Sequence, residues 1–211
     1  LLLPTGAGKS HIGAALCKDA LQNWPETRIL MLTHVKELIE QNAEKMRQHW
    51  PGAPMGIYSA SLRRKHLGEP ITFAGIQSIR TKADQIGHVD LVVIDESHNF
   101  RNNSKGKKGK TRYQRLLEDV IQSGGKTKVL LLSATPVNND LIDLHNQLRF
   151  ISADNNQAFA DLGITDLKKT FKNAQKTFLD WTKQDKNHHA PDLLAKLGSD
   201  FFKLLDELSI A

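Results

Sequence analysis

"LLLPTGAGKS", residues 1–10, reads as an apolar strand, a glycine-containing turn, and Lys9-Ser10 opening a helix over residues 11–22. Gly6 and Gly8 let backbone N–H groups turn inward, and a helix N-terminus adds its own free N–H groups and positive dipole end. Such a turn is a cradle for phosphate. Pro4, Thr5, Gly6, Ala7 and Gly8 would wrap the phosphates of a nucleotide. Lys9 would reach its β/γ-phosphates, and the Ser10 hydroxyl would ligate Mg²⁺. The strict pattern G-x-x-x-x-G-K-[ST] is broken at its first position by Leu3. The competing reading is an ordinary strand–helix turn. The apolar strand before it and the apolar helix after it favour ATP with Mg²⁺.

A second stretch supports this. "LVVIDESHNF" begins apolar and ends in two adjacent carboxylates, Asp95 and Glu96. Clustered charge at a strand end needs an offsetting cation. In P-loop proteins a second strand brings an acid to the same sheet edge, where Asp95 would hold Mg²⁺. Glu96 beside it would orient and deprotonate the water that attacks the γ-phosphate. The catalytic set expected is therefore Glu96, Lys9 and Asp95, with Ser10 and Asp95 on the metal. A third strand, in "VLLLSATPVNN", carries Ser133 and Thr135 to the carboxyl edge, where open α/β sheets bind ligands. Two hydroxyls facing the Asp95/Glu96 strand can sense a γ-phosphate.

The rest of the chain fits one α/β domain. Apolar β-type runs recur at 1–3, 28–33, 55–59, 71–74, 91–94 and 129–132, nearly continuous as in parallel strands covered on both faces. Val35, Leu38, Ile39, Ala43 and Met46 share one helix face, and Tyr113, Leu116, Leu117, Val120 and Ile121 share another. This alternation predicts a mostly parallel sheet flanked by helices over residues 1–153. Beyond it the strands stop. Leu167, Phe171, Ala174, Phe178 and Trp181 space as one amphipathic helix. Leu194, Leu197, Phe201, Leu204, Leu205 and Leu208 space as a second, so 154–211 reads as a helical appendage.

The 211 residues suffice for one domain with a sizeable core and a smaller addition. The net charge is +6 and is uneven: residues 101–128 hold nine Lys/Arg against two acids. Lys105, Lys107, Lys108, Lys110 and Arg112 in that stretch suggest a polyanionic partner, against the alternative of a solvated loop. One cysteine, Cys17, excludes an internal disulfide framework, and its place on an apolar helix side marks a core residue. His188 and His189 lack partners at metal-ligand spacing. No apolar run is long enough to span a membrane, and no signal peptide is visible, so a cytoplasmic setting is expected. The start without Met, inside an apolar run, suits a piece of something longer.

GAGKS, DESH and SAT, in this order, resemble the first RecA-like domain of superfamily 2 DExH-type helicases and translocases. Residues 3–10 look like motif I, residues 95–98 like motif II and residues 133–135 like motif III. "THVKELIEQN" looks like motif Ia and "FAGIQSI" like motif Ib. The resemblance implies that Thr33, Lys36, Gln77 and Ser78 lie along a nucleic-acid backbone. It also implies that His98 links the nucleotide site to motif III. "DESHNFRN" and "LLLSATPVNNDLIDLHNQLRFI" look nearest the Swi/Snf-like branch, although the first hundred residues look more like bacterial DExH helicases of the damage-response kind. Ser97 stands where many members have Ala.

The resemblance thus implies the ATP-binding half of a nucleic-acid-dependent ATPase. Duplex DNA is the expected track, ahead of RNA, and a second RecA-like domain of the same chain would complete the ATP site. Two other classes stay open: a P-loop NTPase without a nucleic-acid track, and a binding module that has lost hydrolysis.

Overall fold

A computed structural model describes residues 8–79, 83–100, 111–122, 126–133, 141–183 and 190–208. Among them, six strands form one sheet: β1 (Ile29–Thr33), β2 (Met55–Ser59), β3 (Arg64–Lys65), β4 (Ile71–Gly75), β5 (Leu91–Asp95) and β6 (Lys128–Leu132). The order is β3-β2-β4-β1-β5-β6. All neighbouring pairs are parallel except β2 with β3. The expected apolar runs from 28 onward thus become parallel strands. The residues 1–3 expected as a strand lie outside the described residues. The short β3 was not expected. Both its residues are exposed, so no apolar periodicity could announce it.

Helices cover both faces. On one side lie α1 (Lys9–Asn23) and α2 (Lys36–His49). Ala14, Cys17 and Leu21 of α1, with Ile39, Ala43 and Met46 of α2, pack on Ile29, Met31, Phe73 and Val93. The alternate residues Leu30, Leu32, Val92 and Ile94 face the opposite layer. That layer includes α3 (Ile76–Ile79), α4 (Ala83–Ile86), α5 (Arg112–Arg115) with a π-helical continuation over Leu116–Ile121, and α6 (Leu141–Ile151). The period-2 split of one strand between two cores is what a sheet buried on both faces requires. Cys17 is fully buried, and burial pushes its thiol up to about 12, so it is a packing residue and no nucleophile.

A third core forms beside these layers. Leu148 of α6 meets Leu167, Phe171 and Ala174 of α7 (Leu167–Thr182) together with Phe201 and Leu204. Asp166 caps α7 by accepting from the Lys169 N–H at 2.9 Å, and that bond holds its carboxyl below the usual range. The last amphipathic segment corrects an expectation. It is two helices, α8 (Ala190–Leu197) and α9 (Ser199–Leu208), where one was expected. Gly198 breaks them at φ +83°, a left-handed conformation that stops an α-helix. Apolar spacing runs smoothly through the break and cannot reveal it.

Candidate functional site

The carboxyl ends of β1, β5 and β6 lie side by side, and α1 begins at the same edge. Gly8 precedes α1 in the left-handed region, φ +81°, a conformation that favours glycine. The first turn of α1 contains no acidic residue, and Gly8 offers no side-chain cap. Its positive end is therefore not neutralised by an acid of its own first turn. Pro4, Thr5, Gly6 and Ala7 fall outside the described residues.

Lys9 is nearly buried, and its Nζ lies 2.8 Å from Glu96 Oε1, although the two are 87 positions apart. Glu96 takes φ +51°, a sparsely populated conformation for a residue with a Cβ. The left-handed turn immediately after β5 swings its side chain off the strand axis toward α1. Such outliers persist only where the surroundings fix them. Its second oxygen, Oε2, lies 3.2 Å from His98 Nδ1. The same His98 nitrogen lies 3.2 Å from the Ser133 hydroxyl oxygen. His98 therefore joins the β5 end to the β6 end. Thr135 falls outside the described residues.

Ser10 and Asp95 are joined through a residue that sequence reading did not single out. Ser10 Oγ donates to Asn42 Oδ1 at 2.7 Å, and Asn42 Nδ2 donates to Asp95 Oδ2 at 2.7 Å. Asp95 Oδ1 also accepts from the Glu96 N–H at 3.0 Å. Asp95 lies on the same strand face as Val93, the face that α2 covers, so Asn42 meets it directly. The signal for Asn42 was available. It stands beside Ala43, between Ile39 and Met46, as a buried amide within the apolar stripe of α2. A buried polar group needs partners.

Ser10 and Asp95 offer one hydroxyl and one carboxylate, hard oxygen donors already held in one network. That donor set suits Mg²⁺, which takes few protein ligands and fills its octahedron with water and phosphate oxygens. No group of three or more His, Cys, Asp or Glu among the described residues forms a separate metal centre.

The residues expected along nucleic acid are placed unevenly. Thr33 ends β1 and is buried, and its hydroxyl has no hydrogen-bond partner among the described residues. Lys36 is exposed at the start of α2, with Nζ 3.7 Å from Glu37. Gln77 is exposed on α3. Ser78 is half-buried and accepts the Ala60 N–H at 2.9 Å, so it staples the turn after β2. Lys105, Lys107, Lys108 and Lys110 lie outside the described residues, and Arg112 opens α5.

A second unexpected residue is Gln147 of α6. Its Oε1 accepts from Ser97 Oγ at 2.8 Å, and both side chains are fully buried.

The family model for the type III restriction enzyme, res subunit, matches residues 1–138. No curated protein matches. The chain is similar to the solved Sulfolobus solfataricus SWI2/SNF2 ATPase core in complex with dsDNA, at 18% identity and TM-score 0.63 over 93% of this chain. It is also similar to the UvsW helicase from bacteriophage T4, at 18% identity and TM-score 0.52 over 69% of this chain. It spans 37% and 50% of those two chains. At such identity the likeness is one of fold: a RecA-like α/β sheet with helices on both faces. No described helix is long and apolar enough to cross a membrane.

Proposed function

Because the chain belongs to the family of the type III restriction enzyme, res subunit, we propose that it is the ATP-binding half of a nucleic-acid-dependent ATPase. The observation that carries this reading is the convergence of Lys9 and Ser10, from the start of α1, on Asp95 and Glu96 at the end of β5. Residues 1–153 form the nucleotide-binding domain, and residues 154–211 lead to a second RecA-like domain that completes the site. The track is duplex DNA, and the setting is intracellular. The dsDNA in the Sulfolobus complex supports DNA over RNA.

Each residue has a separate task. Lys9 binds the β/γ-phosphates of ATP as a point charge. To do so it must release Glu96 Oε1, so phosphate entry and the freeing of the base are one exchange. Glu96 then holds the attacking water and takes its proton, oriented by His98 on its other oxygen. Ser10 and Asp95 hold Mg²⁺, and Asn42 fixes their spacing. The ion, when bound, neutralises charge on the phosphate oxygens. His98 and Ser133 carry the state of the phosphate site from β5 to β6.

The test is ATP turnover by the full-length protein with and without duplex DNA, duplex RNA or single strands. Stimulation by duplex DNA that disappears in Lys9→Ala supports the reading. Turnover indifferent to every nucleic acid refutes the track, and unchanged turnover in Lys9→Ala refutes the phosphate site.

A further inference from the structure

Glu96 holds its place in a backbone conformation that residues with a Cβ seldom adopt, φ +51°. Something must fix the chain on both sides of it. Before it, Asp95 is held in register with Leu132 of β6 and by Asn42. After it comes Ser97, the first residue of a 3₁₀ turn over Ser97–Phe100. Ser97 is completely buried, and its hydroxyl donates to Gln147 Oε1 at 2.8 Å. Gln147 is itself buried, with Nε2 directed toward the Asp143 carbonyl at 3.4 Å. That contact turns the amide so that its oxygen, the end able to accept, faces Ser97.

We propose that Gln147 is a positioning residue for Glu96, acting through Ser97. The inference rests on the function proposed above, in which Glu96 activates the water. A buried serine hydroxyl demands an acceptor, and Gln147 supplies it. The anchor is firm because α6 is gripped from two sides. Phe150 packs in the core under the sheet, whereas Leu148 packs with Phe171 and Phe201 in the helical core. The helical segment after residue 153 thereby steadies the segment that carries the base. Glu96 needs this because proton abstraction depends on geometry at the scale of one ångström.

The experiment is a double-mutant cycle in the full-length protein with Ser97→Ala, Gln147→Met and both together. It measures kcat and KM for ATP with duplex DNA, nucleotide affinity and thermal midpoint. Each single variant is expected to lower kcat roughly 10-fold to 100-fold while nucleotide affinity moves by less than about threefold. The double variant is expected to lose no more than either single one, because both substitutions break the same link. A merely structural bond would lower the thermal midpoint and leave kcat per folded molecule alone. A kcat within about twofold of wild type in either folded single variant overturns the proposal, as do losses that multiply in the double variant. If Gln147→Met does not fold, Ser97→Ala, the smaller change, decides by the same criterion. Glu96→Gln is measured in parallel. Wild-type turnover there means the reading of the site has failed. Lost turnover there with intact Ser97→Ala and Gln147→Met means that only the positioning role has failed.

Discussion

Replacing Asn42 by Ala removes one side chain and breaks two bonds, to Ser10 Oγ and to Asp95 Oδ2, each 2.7 Å long. The first joins neutral groups and is worth about 1 kcal/mol net; the second involves a carboxylate and is worth about 1.5–3 kcal/mol. Asp95 keeps the Glu96 N–H on its other oxygen, so its charge is not stranded. The expected loss of folding stability is therefore about 2.5–4 kcal/mol. The effect on the ligand is separate. Ser10 and Asp95 would no longer be held at a common spacing, and loss of such outer partners weakens metal binding by roughly 10-fold to 100-fold. Urea titration of the full-length protein reads the first quantity. The Mg²⁺ concentration giving half-maximal ATP binding reads the second. Asn42→Asp should be worse at neutral pH, because a second carboxylate replaces the amide donor against Asp95. An Asn42→Ala variant with unchanged urea midpoint and unchanged Mg²⁺ dependence would refute the bridging role.

Two other perturbations have signed outcomes. Replacing Lys105, Lys107, Lys108 and Lys110 by Ala should flatten the slope of log DNA affinity against log salt by about one unit per lost phosphate contact, leaving ATP binding without DNA unchanged. An unchanged slope assigns the run to solubility. His145 lies buried against Phe171, ring centroids 5.5 Å apart, and burial first, with the Arg149 charge second, holds its pKa below 6.5. The folded protein keeps this ring neutral while the unfolded chain takes up a proton, so stability present above pH 6.5 is lost as pH falls below it. His145→Gln should lessen the drop in urea midpoint between about pH 7.5 and 5.5, a window well above the carboxylate range of Asp90 and Asp166. An equal drop in both proteins contradicts it.

Much of the sheet could be read from the chain because parallel strands buried on both faces leave unbroken apolar runs. Residues 29–33 and 91–95 needed no other signal. What escaped was structure without apolar contrast. The Arg64–Lys65 strand is exposed on both sides, and Gly198 interrupts a helix whose spacing stays in phase. The candidate site residues were legible as motif letters, since Gly8, Lys9 and Ser10 open a helix and Asp95 and Glu96 stand at a strand-to-turn junction. Asn42 and Gln147 were not, because each lies inside a helix where single-sequence reading follows the apolar positions. Asn42 is an amide buried on a helix that otherwise buries apolar side chains, and Gln147 is one buried on a helix that also buries His145. Their partners, Asp95 and Ser97, stand 53 and 50 positions away. Such pairings become visible only after the strands and helices are assembled.

In the proposed site Glu96 is the base and Lys9 the phosphate ligand it must release. The most direct measurement is single-turnover hydrolysis of ATP by full-length Glu96→Gln with duplex DNA, alongside its ATP affinity. The substitution keeps size and hydrogen bonding but removes both the base and the charge that holds Lys9 at 2.8 Å. ATP binding is expected to be as tight as wild type or tighter, because Lys9 no longer has to leave a carboxylate. Hydrolysis is expected to be slower by about 10²-fold or more. Hydrolysis at the wild-type rate would contradict the role of Glu96 as the base.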